Sequence, residues 1–181
     1  MSDNLHTTLE AGYRDTTGRH PGYPGIQKLA HETWNKCYPG IIPVEQIEYM
    51  LQRGYGLKTL KSEITEGKIR FEQILVEGKP IGFASHGPTD RLKEIKIHKL
   101  YIHPHHQRQG HGGCLIDHIA KKCRTEGIET LVLAVNKRNT PAINSYIKNG
   151  FRQREAVIVD IGDGYIMDDY IMEKSLLAAA T

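Results

Sequence analysis

Long apolar runs are missing from this chain of 181 residues, so no segment reads as a bilayer-spanning helix and no signal-peptide pattern opens it. Cysteine is scarce. Cys37, Cys114 and Cys123 have no metal-ligand spacing, and any disulfide scheme leaves one of them unpaired, which favours a reducing, cytoplasmic setting. A large excess of one charge is also lacking. The net charge of +3 makes no electrostatic case for nucleic acid, and Lys121, Lys122 and Arg124 read as one solvated helix face. There is no internal repeat and no low-complexity stretch beyond a short tail at Ala178-Ala179-Ala180. With 25% charged and 39% hydrophobic residues, what remains is a single globular domain over 1–181 with enough chain to bury a core.

What is present, first, is a glycine-rich turn, Gln107-Arg108-Gln109-Gly110-His111-Gly112-Gly113-Cys114-Leu115. It lies between an apolar-alternating run, Ile95 to Ile102, and a helical pattern. A strand, such a turn and a helix start make an anion site, because free N–H groups and the positive end of the helix dipole converge on one spot. Gly110 and Gly112 let the backbone approach a ligand with no Cβ in the way. No Lys-Ser or Lys-Thr follows the glycines, as a Walker-type loop requires. The turn also lies past mid-chain, whereas a dinucleotide fingerprint opens its domain. A phosphate-recognising nucleotide enzyme is thus a rival reading without its usual motif.

A second segment runs from Asn136 to Phe151, after Leu131-Val132-Leu133-Ala134-Val135, an apolar run that reads as a strand buried on both faces. Thr140 is placed to cap the next helix, Pro141 suits its first position, and Asn149-Gly150 supplies a left-handed stop. Asn139 and Tyr146, two turns apart, share a side, and helical side chains lean so that the Tyr146 hydroxyl points back toward the preceding strand's end. Elsewhere the pattern predicts an edge strand over Leu9 to Asp15 and a short helix over Ile26 to Trp34 after a break at Gly22-Tyr23-Pro24-Gly25. Cys37-Tyr38-Pro39-Gly40 reads as a loop, and a helix from Pro43 carries Ile47, Met50, Leu51 and Leu57. Two hairpins follow from Phe71–Val76 and Ile81–Ser85 around Glu77-Gly78-Lys79-Pro80, and from Phe151–Ile161 and Tyr165–Lys174 around Gly162-Asp163-Gly164.

Taken together, Gln107-x-x-Gly110-x-Gly112 and Asn139-x-x-Ala142-x-x-x-Tyr146-x-x-x-Gly150-Phe151 resemble the two motifs of the GNAT superfamily of acetyl-coenzyme A-dependent N-acetyltransferases. Lys99 to Pro104 looks like that family's fourth strand. The strong resemblance covers about Ile95 to Phe151, the expected coenzyme-binding core. It implies an α/β (α+β) fold: a mixed, mostly antiparallel sheet of six to seven strands, a splayed parallel pair in its middle and about four helices. The pantetheine arm would lie in the V between the strands holding Ile102 and Val135. Main-chain contacts would come from Leu100, Tyr101 and Ile102. The diphosphate would lie on Gln107, Arg108, Gln109, Gly110, His111, Gly112 and Gly113, with Asn139 and Ala142 beside the arm.

The resemblance also implies an activity, acetyl transfer from acetyl-coenzyme A to a primary amine of a small molecule or peptide, by direct attack in a ternary complex. Tyr146 would be the general acid. An alkyl ammonium of pKa about 10.4 is only about 0.04% neutral at pH 7, so its proton must also be taken. His98 is the candidate base and Glu94 the runner-up, through water; strand alternation puts His98 on one face with Lys96, Leu100 and Ile102. The acceptor would enter between the first two helices and the last hairpin. Trp34, Tyr38, Glu45, Tyr49 and Tyr55 would lie on one side, with Asp163, Met167, Asp168, Asp169 and Tyr170 on the other, and the C-terminal run resembles polyamine-type members. A protein N-terminus or lysine side chain is the alternative acceptor. A non-catalytic acyl-coenzyme A-binding module is the alternative class, against which Tyr146 speaks. His103, His105, His106 and His111 share one loop with no carboxylate or thiolate, so they read as solvated or phosphate-edge histidines and no metal is expected. A homodimer through the last hairpin is left open.

Overall fold

The computed structural model describes residues 7–11 and 24–177. One seven-stranded sheet runs in the order β1-β2-β3-β4-β5-β7-β6. Its strands are β1 (Thr7–Ala11), β2 (Arg70–Val76), β3 (Lys79–Pro88), β4 (Glu94–Ile102), β5 (Thr130–Asn136), β6 (Arg152–Gly162) and β7 (Tyr165–Ser175). The helices are α1 (Pro24–Cys37), α2 (Val44–Tyr55), α3 (Leu57–Thr65), α4 (His111–Thr125) and α5 (Thr140–Lys148). Every neighbouring pair is antiparallel except β4–β5. No described helix is long and apolar enough to cross a membrane.

The core lies in two layers. On one face α4 sets Leu115, Ile116, Ile119, Ala120 and Cys123 against Ile74, Ile97, Leu131, Leu133 and Met172. Cys123, 1% exposed, completes the apolar stripe of α4 as a core residue. On the other face α1, α2 and α3 bring Ile26, Trp34, Ile47, Leu51 and Leu60 onto Phe71 and Phe83.

Several boundaries differ from the sequence expectation. The helix begun by Pro43 ends at Tyr55, because Gly56 leaves the helical region (φ −58, ψ 143), and Leu57 opens a separate helix; that makes five α-helices among the described residues where about four were expected. The first helix extends to Cys37, so the loop starts one residue later. Both hairpin turns are tighter than predicted. Glu77-Gly78 and Asp163-Gly164 each put both residues at positive φ, the geometry that matches strand twist, so Lys79, Pro80 and Gly162 join the strands. The edge strand forms at Thr7–Ala11; positions 12–15, Gly22, Tyr23 and the alanine tail lie outside the described residues.

One polar network crosses the α4 layer. Glu72 of β2 is 1% exposed and meets His86 (3.4 Å) from β3, and His118 (3.0 Å) and Lys122 from α4. Burial alone would raise its pKa. The hydrogen bonds from His86, Lys122 and His118 outweigh that and hold the carboxyl at about 2. A pKa depressed from the ordinary 4.5 contributes about 3 kcal/mol of stability above pH 4.5, which is lost as the pH falls toward 2. Glu72→Gln should therefore unfold about 3 kcal/mol more easily at pH 7 in urea titrations, and the gap to wild type should close as the pH approaches 2.

Candidate active site

β4 and β5 pair over only four positions, Glu94↔Thr130 to Ile97↔Leu133, and then part. Two features of the chain open this V. β7 holds the other edge of β5 along its whole length, Thr130 to Asn136. On the far side, β4 slips against β3: Ser85 pairs with Lys99 and His86 with Ile97, so His98 is an extra, unpaired residue. Such a bulge bends a strand and resets its alternation. Ile97 points into the α4 layer, yet Lys99 reaches Glu63 of α3 (2.6 Å) and Tyr101 meets the Tyr55 hydroxyl (2.7 Å) on the opposite face. Leu100 and Ile102 return to the α4 layer. The alternation argument for His98 therefore fails, since it does not share a face with Leu100 and Ile102.

Inside the V is a cavity of about 60 Å³, lined by Tyr38, Ile97, His98, Leu100, Tyr101, Leu133, Ala134, Val135, Asn139, Ala142 and Tyr146. Ala134 interrupts the buried run of β5 at this point, so that strand is not covered on both faces. Tyr146 is half-buried, packs edge-on against Phe151 at 5.8 Å, and its hydroxyl has no hydrogen-bond partner among the described residues. Burial pushes its pKa up to about 12. The helix that carries it is capped by Asn139, not Thr140: the Asn139 side chain accepts from the Ala142 N–H at 3.3 Å, and Thr140 becomes the first helical residue. Asn139, which the resemblance placed beside the coenzyme, thus has its Oδ1 engaged in the helix start.

At the open end of β4 the chain makes one 3₁₀ turn, Pro104–His106, and enters the glycine segment. Gln107 folds back, its Nε2 donating to the Ile102 carbonyl at 2.9 Å and to Cys37 Sγ at 3.5 Å. Arg108 (φ 62) and Gly110 (φ 87) both take left-handed backbone, which turns the chain into α4. The N–H groups from Arg108 to Gly113 donate to no acceptor among the described residues. A Cβ on Gly110 would meet nothing within 4 Å, and one on Gly112 only Ile102 at 3.9 Å, so the space before this turn is open. Gly113 differs, since a Cβ there would press Asn149 Oδ1 at 2.7 Å. His103, His105, His106 and His111 string along the loop, with His103 paired to Glu32 (3.3 Å). No group of three or more His, Cys, Asp or Glu side chains among the described residues has a metal-holding arrangement.

The two base candidates are not equivalent. His98 is held neutral, its pKa lowered to about 4 by partial burial and by the charges of Lys96 and Lys99. Glu94 is buried at the base of the V, where Arg154 (2.7 Å) and Thr89 (3.0 Å) already hold its carboxylate. His98 and Glu94 also line a second, larger hollow of about 370 Å³ with Lys96, Arg91 and Arg154.

The acceptor-side residues are dispersed. Trp34 is buried and stacks on Tyr38 at 4.1 Å, so only Tyr38 reaches the cavity. Tyr49 donates to the Ile161 carbonyl (2.5 Å) and Gln46 to that of Ile166 (2.7 Å), fastening the β6–β7 hairpin onto α2. Asp168 is paired with Lys137, and Tyr170 packs into the α4 layer. Asp169 is buried opposite Asn136, with its Oδ1 unpartnered among the described residues. Sequence reasoning missed Arg138, whose guanidinium donates to the carbonyls of Gly40 (2.7 Å) and Ile41 (2.9 Å). It thereby ties the α1–α2 loop across the mouth of the V, and no spacing signal marks it.

The model of the acetyltransferase (GNAT) family matches residues 28–151. The spermidine N(1)-acetyltransferase of Thermoplasma acidophilum is 28% identical over 151 residues, 81% of this chain and 87% of that protein. The ribosomal-protein-bS18-alanine N-acetyltransferase of Escherichia coli is 32% identical over 96 residues, 53% of this chain and 63% of that one. Among solved structures, the PaiA N-acetyltransferase of Thermoplasma acidophilum in complex with coenzyme A superposes with a TM-score of 0.74 at 23% identity, covering 93% of this chain and 99% of that chain.

Gly110→Ala forces a Cβ into left-handed backbone at a cost of about 1 kcal/mol, or else relaxes the turn. By calorimetric titration, inorganic pyrophosphate should bind this variant about fivefold more weakly, with unchanged helical circular dichroism.

Proposed function

The chain belongs to the acetyltransferase (GNAT) family, and from that premise we propose that it transfers the acetyl group of acetyl-coenzyme A to a primary amine of a small molecule or peptide, by direct attack in a ternary complex with Tyr146 as general acid. One observation carries this reading. The N–H groups of Arg108 to Gly113 are free where the chain leaves β4 for α4, and the unpartnered Tyr146 lines the cavity between β4 and β5.

The residues present fit such a donor. The turn offers a run of N–H groups and the N-terminus of α4 to a diphosphate, the environment in which backbone donors and the helix dipole act together. Beyond Ile97 the β5-side edge of β4 has no strand partner, which leaves its main chain for an extended arm. A bound thioester would supply the activated acetyl carbon. Tyr146 would then meet the leaving sulfur.

The three thiols argue for direct attack. Cys37 is held against Gln107, Cys114 is exposed on the first turn of α4, and burial raises the Cys123 thiol to about 11 in the core. None lines the V, so no cysteine is at hand there as an acyl-enzyme nucleophile.

At a pKa of about 12, Tyr146 is a weaker acid than free phenol, and full transfer to a thiolate of pKa about 8.5 would be uphill by about 5 kcal/mol. A sulfur leaving into the same cavity is desolvated too, as the raised Cys123 thiol illustrates, which narrows that gap. Hydrogen bonding to the developing thiolate stabilises it even before the proton moves.

The relatives' names give two acceptor chemistries to try: spermidine, and a peptide with N-terminal alanine. Thiol release from acetyl-coenzyme A should depend on at least one of these amines. Tyr146→Phe should lower kcat by about 10²- to 10⁴-fold and leave the coenzyme A dissociation constant within about twofold. Equal turnover in the variant would remove Tyr146 from this role.

A further inference from the structure

We propose that Asp169 receives the acceptor's ammonium group and takes its proton, a role that rests on the acetyl transfer proposed above. Its place in the fold is the first argument. Asp169 pairs with Asn136 across β5–β7, three residues beyond the last β4–β5 pair at Leu133, beside the part of β5 that has already left β4. Tyr170 and Met172 belong to the α4 layer, so alternation turns Asp169 to the opposite face. On that face Tyr38 lies within electrostatic reach of both Asp169 and Tyr146, and it lines the same cavity as Tyr146. The coenzyme cradle is on the α4 side, and the carboxylate therefore stands where an amine would arrive from across the sheet.

The second argument is its unmet bonding. Asp169 is 7% exposed, and its Oδ1 has no partner among the described residues. A buried carboxylate oxygen without a donor is costly, and native structures keep few of them. An ammonium supplies three donors and the compensating charge. Asp168, its sequence neighbour, is already paired with Lys137.

The third argument is comparative. Burial and then the Asp168 charge raise the Asp169 carboxyl to about 6, against the lowering effect of Lys96 and Lys137. Tyr38, just past the end of α1, lies within electrostatic reach of it, and the neutral Asn136 of β5 and Val157 of β6 are its cross-strand partners. His98, at about 4, is roughly a hundredfold weaker as a base. Glu94 is occupied by Arg154 and Thr89.

The proton ledger closes. One N–H bond of the ammonium breaks and its proton passes to an Asp169 oxygen, then to solvent. The freed electron pair forms the bond to the acetyl carbon as the C–S bond breaks. The sulfur accepts a proton from Tyr146, and the nitrogen's second surplus proton restores that phenol.

The test is kcat/KM against pH for spermidine and for an alanine-initiated peptide, by thiol release, in wild type, Asp169→Asn and Asp169→Glu. Coenzyme A affinity and the thermal midpoint are measured alongside. Wild type should lose about tenfold per pH unit below about pH 6, since the base must be ionised. In Asp169→Asn the break near pH 6 should vanish, leaving a rate that climbs with the neutral amine toward that amine's own pKa, and the value at pH 7 should fall by about 10²-fold, with coenzyme A binding kept within about twofold. Asp169→Glu, which keeps the carboxylate, should retain a break. A break near pH 6 that persists in Asp169→Asn, or a rate at pH 7 within about threefold of wild type, overturns this role alone. A wild type that releases no thiol with either amine overturns the role and the acetyl transfer together.

Discussion

The parting of β4 from β5 after four residue pairs is the constraint on which the site depends. Two strands that stayed paired would have no free main chain for an arm, no cavity at Ala134 and no route from one sheet face to the other. The parting has two mechanical causes. β7 pins β5 along its length, and the bulge at His98 bends β4 while β3 still holds it. Lys99 then anchors the bent strand from the far face through a bidentate pair with Glu63 (2.6 and 2.7 Å), which fixes where the bend goes.

The rest of the structure keeps that opening from collapsing or filling. Glu72 ties β2 and β3 to α4, so the helix whose N-terminus faces the anion site is held to the sheet by charge as well as by its apolar stripe. Arg138 and Gln107 do the equivalent work at the rim: one grips the carbonyls of Gly40 and Ile41, and the other grips Ile102 and Cys37. The α1–α2 loop is therefore fastened from both sides of the V. A site that must accept a long donor and a separate acceptor needs such a rim, because closure errors of an ångström are expensive in reaction rate.

How much of this was legible in the sequence follows from the range of each interaction. The glycine turn, the Gly150 helix stop (φ 82) and the two hairpins are set by backbone sterics within a few residues, and they form in the predicted places, with the hairpin turns tighter than expected. The V itself entered through a family resemblance, not through periodicity. The misreadings share a cause, which is that tertiary register overrode local rules. Asn139 took the cap from Thr140 because its N–H is already folded onto the Asn136 carbonyl (2.9 Å). His98 lost its predicted face because one extra residue in β4 resets every later side chain. Arg138, Lys99 and Glu72 carry no spacing signal, since their partners lie 36 to 98 residues away or on other elements.

The ionisable groups around the V also share one physical setting, and it acts differently on each. Burial raises the Tyr146 phenol, which makes it a poorer acid, and raises the Asp169 carboxyl, which makes it a better base. It lowers His98, which then rests neutral with little proton affinity. For an amine acceptor the harder proton is the first, because deprotonating an alkyl ammonium at neutral pH costs about 4.6 kcal/mol. A carboxylate moved upward toward neutrality meets that demand better than an imidazole moved down to about 4. At the other end the demand is weaker, because a desolvated thiolate attracts a phenolic proton more strongly than a solvated one does. In the proposed reaction, burial thus shifts the acid–base work toward Asp169 and Tyr146 and away from His98.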